Sequence, residues 1–134
     1  VWAPEIHYIN NTWYVYVAAD NGTNETHRMY VLQNTSANPL NDQWEFKGKL
    51  ATPSDKWAID GNVFEYNNQR YMAWSGWEGD ANGQQDLFIA KMSDPLTLSG
   101  KRVKISSPTP GSVTAIWVRQ AIPSRCMSMK VRNF

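Results

Sequence analysis

The chain repeats a pattern of short strands and turns after about 57 residues, which places Glu5 over Asn62. In both copies an alternating apolar run meets an Asn-Asn pair, and the next run opens on an aromatic residue. A repeat of this length built only from short strands is typical of β-propeller blades, which have four strands each. A closed propeller needs at least about four blades. The sequence therefore predicts an all-β fold, a partial propeller of about two blades.

Alternating runs bounded by turn residues predict eight strands. In the first copy we expect them near residues 3–9, 13–19, 27–33 and 44–50. In the second copy we expect them near residues 59–66, 70–75, 85–92 and 101–106. The two blades then span about residues 1–50 and 57–107, and no segment shows sustained helical periodicity.

Aromatic residues are abundant, with seven Trp, six Tyr and four Phe. Their rings fill interfaces between stacked sheets, and they also stack on the C–H faces of sugars. Alternating strand positions predict core packing for six of them: Tyr8, Tyr14, Tyr30, Phe64, Tyr71 and Phe88.

The charge pattern changes towards the end of the chain. Every Asp and Glu lies at or before Asp94, whereas seven Lys and Arg residues follow Pro95. A third copy of the repeat, due near residue 116, is missing. We interpret residues 108–134 as a divergent basic tail, for which a frame change or a mis-joined exon would explain both features. Its charges are scattered, which argues against binding to nucleic acid or a membrane.

Cysteine usage and sequons bear on the cellular compartment. The single Cys126 excludes an intrachain disulfide, which fits either a reducing compartment or a disulfide-free secreted protein. Four N-x-S/T sequons in the first blade favour secretion. We expect their acceptors to lie in accessible turns and loops: Asn10, Asn21, Asn24 and Asn34. No apolar stretch is long enough to span a membrane.

Several motifs occur in the order found in glycoside hydrolase family 43, and the chain resembles that family over roughly residues 1–107. These motifs are Trp2-Ala3-Pro4-Glu5-Ile6-His7-Tyr8, Trp57-Ala58-Ile59-Asp60-Gly61-Asn62-Val63-Phe64, Trp74-Ser75-Gly76-Trp77-Glu78-Gly79 and Gln85-Asp86-Leu87-Phe88-Ile89-Ala90-Lys91-Met92. The resemblance implies a secreted five-bladed propeller acting on arabinose- or xylose-containing plant polysaccharides, with α-L-arabinofuranosidases as its nearest members. The residues show neither metal-ligand spacing nor a phosphate-binding glycine loop, so we expect no metal and no cofactor.

The resemblance also implies an inverting mechanism with three acidic residues, of which one maps onto this chain. Asp60 takes the place of the Asp that orients the general acid and adjusts its pKa; the simpler alternative is a loop Asp before a strand. The general base would lie before Val1 and the general acid after Pro108, where no acidic residue follows. We therefore expect the chain as written to be inactive.

Other residues are candidates for the wall of the pocket. The resemblance places Trp2 and Glu5 near the propeller axis, and Trp77 is suited to stacking on a sugar. Plain packing is an equal alternative for Trp2 and Trp77. Glu78 follows Ser75-Gly76-Trp77 and lacks the motif of the acid, so we expect a pocket-wall or loop residue.

Three functional interpretations remain open. The chain is part of a hydrolase that removes terminal α-L-arabinofuranosyl units from arabinan or arabinoxylan, or it is a non-catalytic carbohydrate-binding piece held by aromatic stacking. The third interpretation is a product of a broken gene that has no partner.

Overall fold

The computed structural model describes residues 1–81 and 83–108. Its first sheet contains β1 (Trp2–Ile9), β2 (Thr12–Ala19), β3 (Arg28–Asn34) and β4 (Glu45–Lys49). Its second sheet contains β5 (Ala58–Tyr66), β6 (Gln69–Gly76), β7 (Asp86–Asp94) and β8 (Thr97–Ser106). A 3-10 turn, Asn24–Thr26, connects β2 to β3. Of the predicted tail, only Pro108 is among the described residues.

Each sheet is an antiparallel meander in which neighbours in the chain are neighbours in the sheet. This confirms the predicted all-β fold of two four-stranded units, which we call blade 1 (β1 to β4) and blade 2 (β5 to β8). The main difference is at β8, which begins four residues earlier than expected, at Thr97 instead of residue 101. The Asp94 carboxylate accepts a hydrogen bond from the Leu96 backbone (2.7 Å), which closes a tight turn and lets pairing resume at once.

The first hairpin of each blade turns on its Asn-Asn pair. Asn10 and Asn11 have φ angles of 50° and 61°, and Asn67 and Asn68 have angles of 49° and 58°. Two consecutive left-handed residues are what a two-residue type I′ turn requires, and Asn tolerates this conformation better than most residues. The same local chemistry therefore sets the register of both hairpins.

The core lies between the blades, where one face of each sheet packs against the other. Blade 1 contributes Tyr16 and Val31, and blade 2 contributes Met72 and Phe88, all buried. Burying a large apolar side chain contributes about 1.5–3 kcal/mol. This single interface therefore supplies most of the apolar burial of the described residues.

The segment between the blades is hydrogen-bonded to both of them. The Ala51 backbone pairs with the start of β8 through two bonds, Ala51 N–H to Leu96 O (3.0 Å) and Leu98 N–H to Ala51 O (2.8 Å). At the other end of the segment, Ala58 N–H donates to His27 O (3.2 Å). The connection thus ties β8 of blade 2 to blade 1.

The six aromatic residues expected in the core lie in three different environments. Tyr14 and Phe88 are buried, as predicted, whereas Tyr8 is half-exposed and that prediction is wrong. Tyr30, Phe64 and Tyr71 are intermediate. Alternation assigns side chains to one face of a sheet, but it does not say which face is covered. Tyr8 lies on the face of blade 1 that points away from blade 2.

Replacing Gly76 by alanine tests how tightly the interface is packed. A Cβ at Gly76 would lie 3.0 Å from Trp74 Nε1 and 3.1 Å from the backbone oxygen of Trp57. Because both atoms belong to rigid groups, we expect Gly76→Ala to lower the free energy of unfolding by about 1–3 kcal/mol. Urea denaturation measures it. Gly79→Ala, where a Cβ meets open space, is the control, and equal losses in the two variants would contradict this packing.

Candidate functional site

The first strand of each blade carries the same irregularity near its beginning. In β1 the pairing register shifts just after Trp2, and in β5 it shifts just after Ile59. Within each bulge one non-glycine residue has left-handed backbone geometry, Ala3 with φ 43° and Asp60 with φ 54°. Ala3 and Asp60 occupy equivalent positions of the repeat. The fold thus builds one strained position per blade, and blade 2 places a carboxylate there.

Asp60 is exposed, and its carboxylate makes no hydrogen bond or ion pair with any described residue. The next residue, Gly61, is buried, and a Cβ there would lie 2.8 Å from Met29 Cε and 3.2 Å from Met72 Sδ. The bulge is therefore pressed against the inter-blade core on one side, while the carboxylate faces solvent. Left-handed geometry at a non-glycine residue costs free energy and is concentrated at functional sites.

Trp2 and Glu5 flank the equivalent bulge of blade 1, and both are exposed. The Trp2 side chain is 62% exposed. The described residues, 1–81 and 83–108, therefore do not bury it, and the alternative of plain packing is not supported for Trp2. β1 and β5 contact each other across the interface. Both remain candidates for the wall of a pocket.

Trp77 is placed in the core, contrary to its expected role in stacking on a sugar. Its side chain is 2% exposed, and its ring stacks on Trp57 with centroids 4.7 Å apart and planes inclined by 4°. The Trp57 indole in turn donates to the Asn24 carbonyl (2.7 Å). No ring face of Trp77 is open to a ligand, so that prediction is wrong and the packing alternative holds. The two tryptophans instead join the β6–β7 loop to the connection between the blades.

Glu78 is held at the rim of blade 2 by two cationic residues of β8. Its carboxylate lies 2.7 Å from Lys104 Nζ. Arg102 donates to the backbone oxygens of Trp77 (2.7 Å) and Glu78 (2.8 Å), and its guanidinium lies 4.1 Å from the centroid of the Phe88 ring. Glu78 is thus tied to β8 through both its carboxylate and its backbone, which suits the role of a loop anchor.

Asp86 is a buried carboxylate that the sequence analysis did not single out. It accepts a hydrogen bond from Gln84 (2.7 Å) and lies 3.3 Å from Lys104. Burial alone would raise the pKa of Asp86, but hydrogen bonds from Gln84, Ser107 and Lys104 outweigh it and hold the pKa below its usual range. Its only sequence signal is its place at the start of a family motif.

The sequon acceptors do not share one environment. Asn10, Asn21 and Asn24 are exposed. Asn34 is the last residue of β3, 1% exposed, and its Nδ2 donates to the Asn41 side chain (2.9 Å). The nitrogen that would carry a glycan is therefore engaged inside the fold, and the expectation that Asn34 is accessible is wrong.

Two clefts lie along the inter-blade interface, with volumes of about 30 Å³ and about 330 Å³. Neither cleft is lined by Trp2, Glu5, Asp60, Trp77 or Glu78. The exposed candidates thus form at most one wall of a site. Over the part of the chain that the structure describes, no group of three or more His, Cys, Asp or Glu could hold a metal ion. In that same part no helix has the length and apolar character needed to cross a membrane.

Two meanders packed face to face, each opening on a bulged strand, are adjacent blades of a β-propeller. Comparison with known families agrees, since residues 1–122 match glycosyl hydrolases family 43. The chain belongs to this family.

Two similar curated proteins are named as arabinofuranosidases. The chain is 44% identical over 110 residues to an extracellular exo-α-(1→5)-L-arabinofuranosidase of Streptomyces avermitilis, covering 81% of this chain and 23% of that protein. It is 40% identical over 109 residues to α-L-arabinofuranosidase 43 of Humicola insolens, again with 81% and 23% covered.

The structural comparison agrees with this result. The crystal structure of an α-L-arabinofuranosidase from Lactobacillus brevis has a TM-score of 0.71 at 33% identity, covering 81% of this chain and 36% of that one. The chain therefore spans about a quarter to a third of the length of the proteins it matches.

Replacing Asp60 by glycine tests whether this residue serves the fold. Glycine adopts the left-handed conformation without steric cost, and Asp60 has no described partner to lose. We expect Asp60→Gly to raise the free energy of unfolding by about 0.5–1 kcal/mol, measured by urea denaturation. Ala3→Gly, at the equivalent bulge, is the matched comparison and should behave alike. A loss of stability in Asp60→Gly alone would show that the carboxylate stabilises the fold.

The ion pair between Asp86 and Lys104 should make the free energy of unfolding depend on pH in the acidic range. Because its pKa is depressed in the folded protein, the charged carboxylate stabilises the fold above its unfolded pKa, about 3.9. That contribution is lost as the pH falls through the lower, folded pKa. We expect Asp86→Asn to be less stable than wild type at neutral pH, and the difference to shrink below about pH 4.

Urea denaturation at several pH values between neutral and acidic measures this difference. Asp42→Asn is the control, because Asp42 is exposed and has no partner among the described residues. Parallel pH curves for wild type and Asp86→Asn would contradict the assignment.

Proposed function

We propose that this chain is the two-blade part of a glycoside hydrolase that releases terminal α-L-arabinofuranosyl units from arabinan or arabinoxylan with inversion. The observation that carries the proposal is Asp60. It is an exposed carboxylate, without a partner among the residues that the structure describes, at a strained bulge of β5, in a segment that matches the family. The names of the relatives support arabinose-containing substrates.

In this proposal Asp60 is the carboxylate that orients the general acid. A negative charge close to a second carboxyl group raises the pKa of that group, which keeps a proton available for the leaving oxygen. Inversion also requires acid and base to stand about 6.5–9.5 Å apart, so that a water molecule fits beneath the anomeric carbon. The general acid and base would come from blades other than the two described.

Trp2 and Glu5 would line the same pocket from blade 1. An exposed indole suits stacking on the apolar face of a furanose, and a neighbouring carboxylate suits its hydroxyl groups. The alternative of a non-catalytic carbohydrate-binding piece rested mainly on Trp77, whose ring is buried. Hydrolysis is therefore the better supported function.

We further propose that the protein is secreted and carries N-glycans on Asn10, Asn21 or Asn24. These three side chains are exposed. The similar protein of Streptomyces avermitilis is named as extracellular. Asn34 is excluded from the set by its burial.

A direct assay of the 134-residue chain tests the catalytic assignment. We expect no measurable hydrolysis of an aryl α-L-arabinofuranoside, because a general acid and a general base each contribute about 10²- to 10⁴-fold. In a longer protein that supplies both groups, Asp60→Asn should lower kcat about 10²- to 10⁴-fold. It should also move the alkaline limb of the pH–rate profile to lower pH, because the general acid loses the neighbouring charge that raises its pKa.

Glu78→Gln in that longer protein is the matched control, because Glu78 is an equally exposed carboxylate that we place in a loop anchor. It should keep kcat within about threefold, since one exposed ion pair is worth about 0–1 kcal/mol. Hydrolysis by the 134-residue chain that disappears in Asp60→Asn would overturn the proposed division of roles. So would a large loss of kcat in Glu78→Gln alone.

A further inference from the structure

His27 lies between the 3-10 turn and β3, and it is buried with both nitrogens of its ring engaged. Nδ1 lies 2.8 Å from the backbone oxygen of Asn24, and Nε2 lies 3.1 Å from Oδ2 of Asp20. A carbonyl and an ionised carboxylate can only accept hydrogen bonds, so each ring nitrogen has to carry a proton. This arrangement therefore requires His27 to be an imidazolium.

Asp20 is oriented to receive this cation. Its other oxygen, Oδ1, accepts a hydrogen bond from the Gly22 backbone (2.7 Å). The side chains of Asp20 and His27 are 21% and 11% exposed, so salt and water screen the pair less than they screen an open surface pair. The other cations on the elements around the turn have carboxylate partners of their own, Arg28 with Asp55 (2.8 Å) and Lys56 with Asp80 (2.6 Å).

The turn that His27 closes is bonded to the segment that enters β5. The Asn24 oxygen accepts from the indole of Trp57 (2.7 Å) as well as from the His27 ring. The His27 backbone oxygen accepts from Ala58 N–H (3.2 Å), and the His27 and Trp57 rings lie side by side with centroids 5.8 Å apart. Trp57 and Ala58 stand three and two residues before Asp60. The contacts of His27 therefore lead to the strained bulge that carries the Asp60 carboxylate.

We propose that His27 is a positioning residue for Asp60 and that it acts only while it carries both ring protons. As an imidazolium it holds the turn between β2 and β3, and the turn fixes the backbone that leads into the bulge. When the pH rises and Nε2 loses its proton, the ring presents a lone pair to the Asp20 carboxylate, so the contact becomes repulsive and the turn loosens. The role in catalysis rests on the proposed function, whereas the coupling between His27 and Asp60 does not.

NMR of the full 134-residue chain tests the coupling without any activity. The chain has two histidines, so His7→Gln and His27→Gln assign their ring signals. We expect the indole N–H of Trp57 and the backbone N–H of Asp60 to shift with pH along the same curve as the His27 ring. The shifts should disappear in His27→Gln. They should persist in His7→Gln, because His7 packs on Tyr16 and not on the turn.

The wild-type titration decides the coupling even if a variant fails to fold. The proposal is overturned if the His27 ring changes charge while both reporter signals stay fixed. It is also overturned if the ring does not change charge across the pH range in which the protein is folded.

Kinetics of a longer protein that supplies the general acid and base test the role in catalysis. His27→Ala should lower kcat about 10- to 10²-fold through displacement of Asp60 and leave KM within about threefold. His27→Gln keeps a donor for Asp20 but cannot titrate, so it should recover part of kcat. His7→Gln is the matched control and should have the kcat of wild type.

The kinetic outcomes separate this proposal from the proposed function. A wild-type kcat in His27→Ala, or a loss that His27→Gln does not reduce, would overturn the positioning role. A longer wild-type protein that hydrolyses no arabinofuranoside would overturn the proposed function instead, and the NMR titration would still decide whether His27 controls the backbone at Asp60.

Discussion

The fold depends on one contact, the burial of a face of each four-stranded sheet against the other. Tyr16 of blade 1 and Met72 of blade 2 are fully buried there, and neither sheet has another described layer to pack on. A meander alone buries little, so among the described residues each blade buries most of its apolar side chains against the other. Gly61 and Gly76 sit where this contact is tightest, which explains why no side chain is present at either position.

That contact also places the candidate site. Gly61 lies against Met29 and Met72, where a Cβ would not fit. At the adjoining bulge of β5, Asp60 is exposed to solvent and has a left-handed backbone. In the same blade, Arg102 and Lys104 hold the loop that follows β6 and contains Glu78. The exposed carboxylate of Asp60 thus lies next to a tightly packed part of the core. This suits a residue that must keep its position while a substrate binds.

Sequence patterns predicted the local structure well and the environment of single side chains less well. The Asn-Asn pairs and the repeat predicted eight strands and two meanders, because turn chemistry and alternation are local properties. The predicted environments of three residues were wrong, because each depends on tertiary structure. Tyr8 lies on the uncovered face of blade 1. Trp77 stacks on Trp57, and Asn34 donates a hydrogen bond to Asn41. Asp60 was found through a motif, whereas its strained backbone was visible only in three dimensions.

The central claim is that these two blades belong to a larger secreted hydrolase. Peptide mapping by mass spectrometry of the protein recovered from the medium of cells that carry the gene tests it most directly. The account predicts peptides from this chain joined to peptides of further blades that supply the general acid and the general base. A secreted or intracellular protein that begins at Val1 and ends at Phe134 would contradict it.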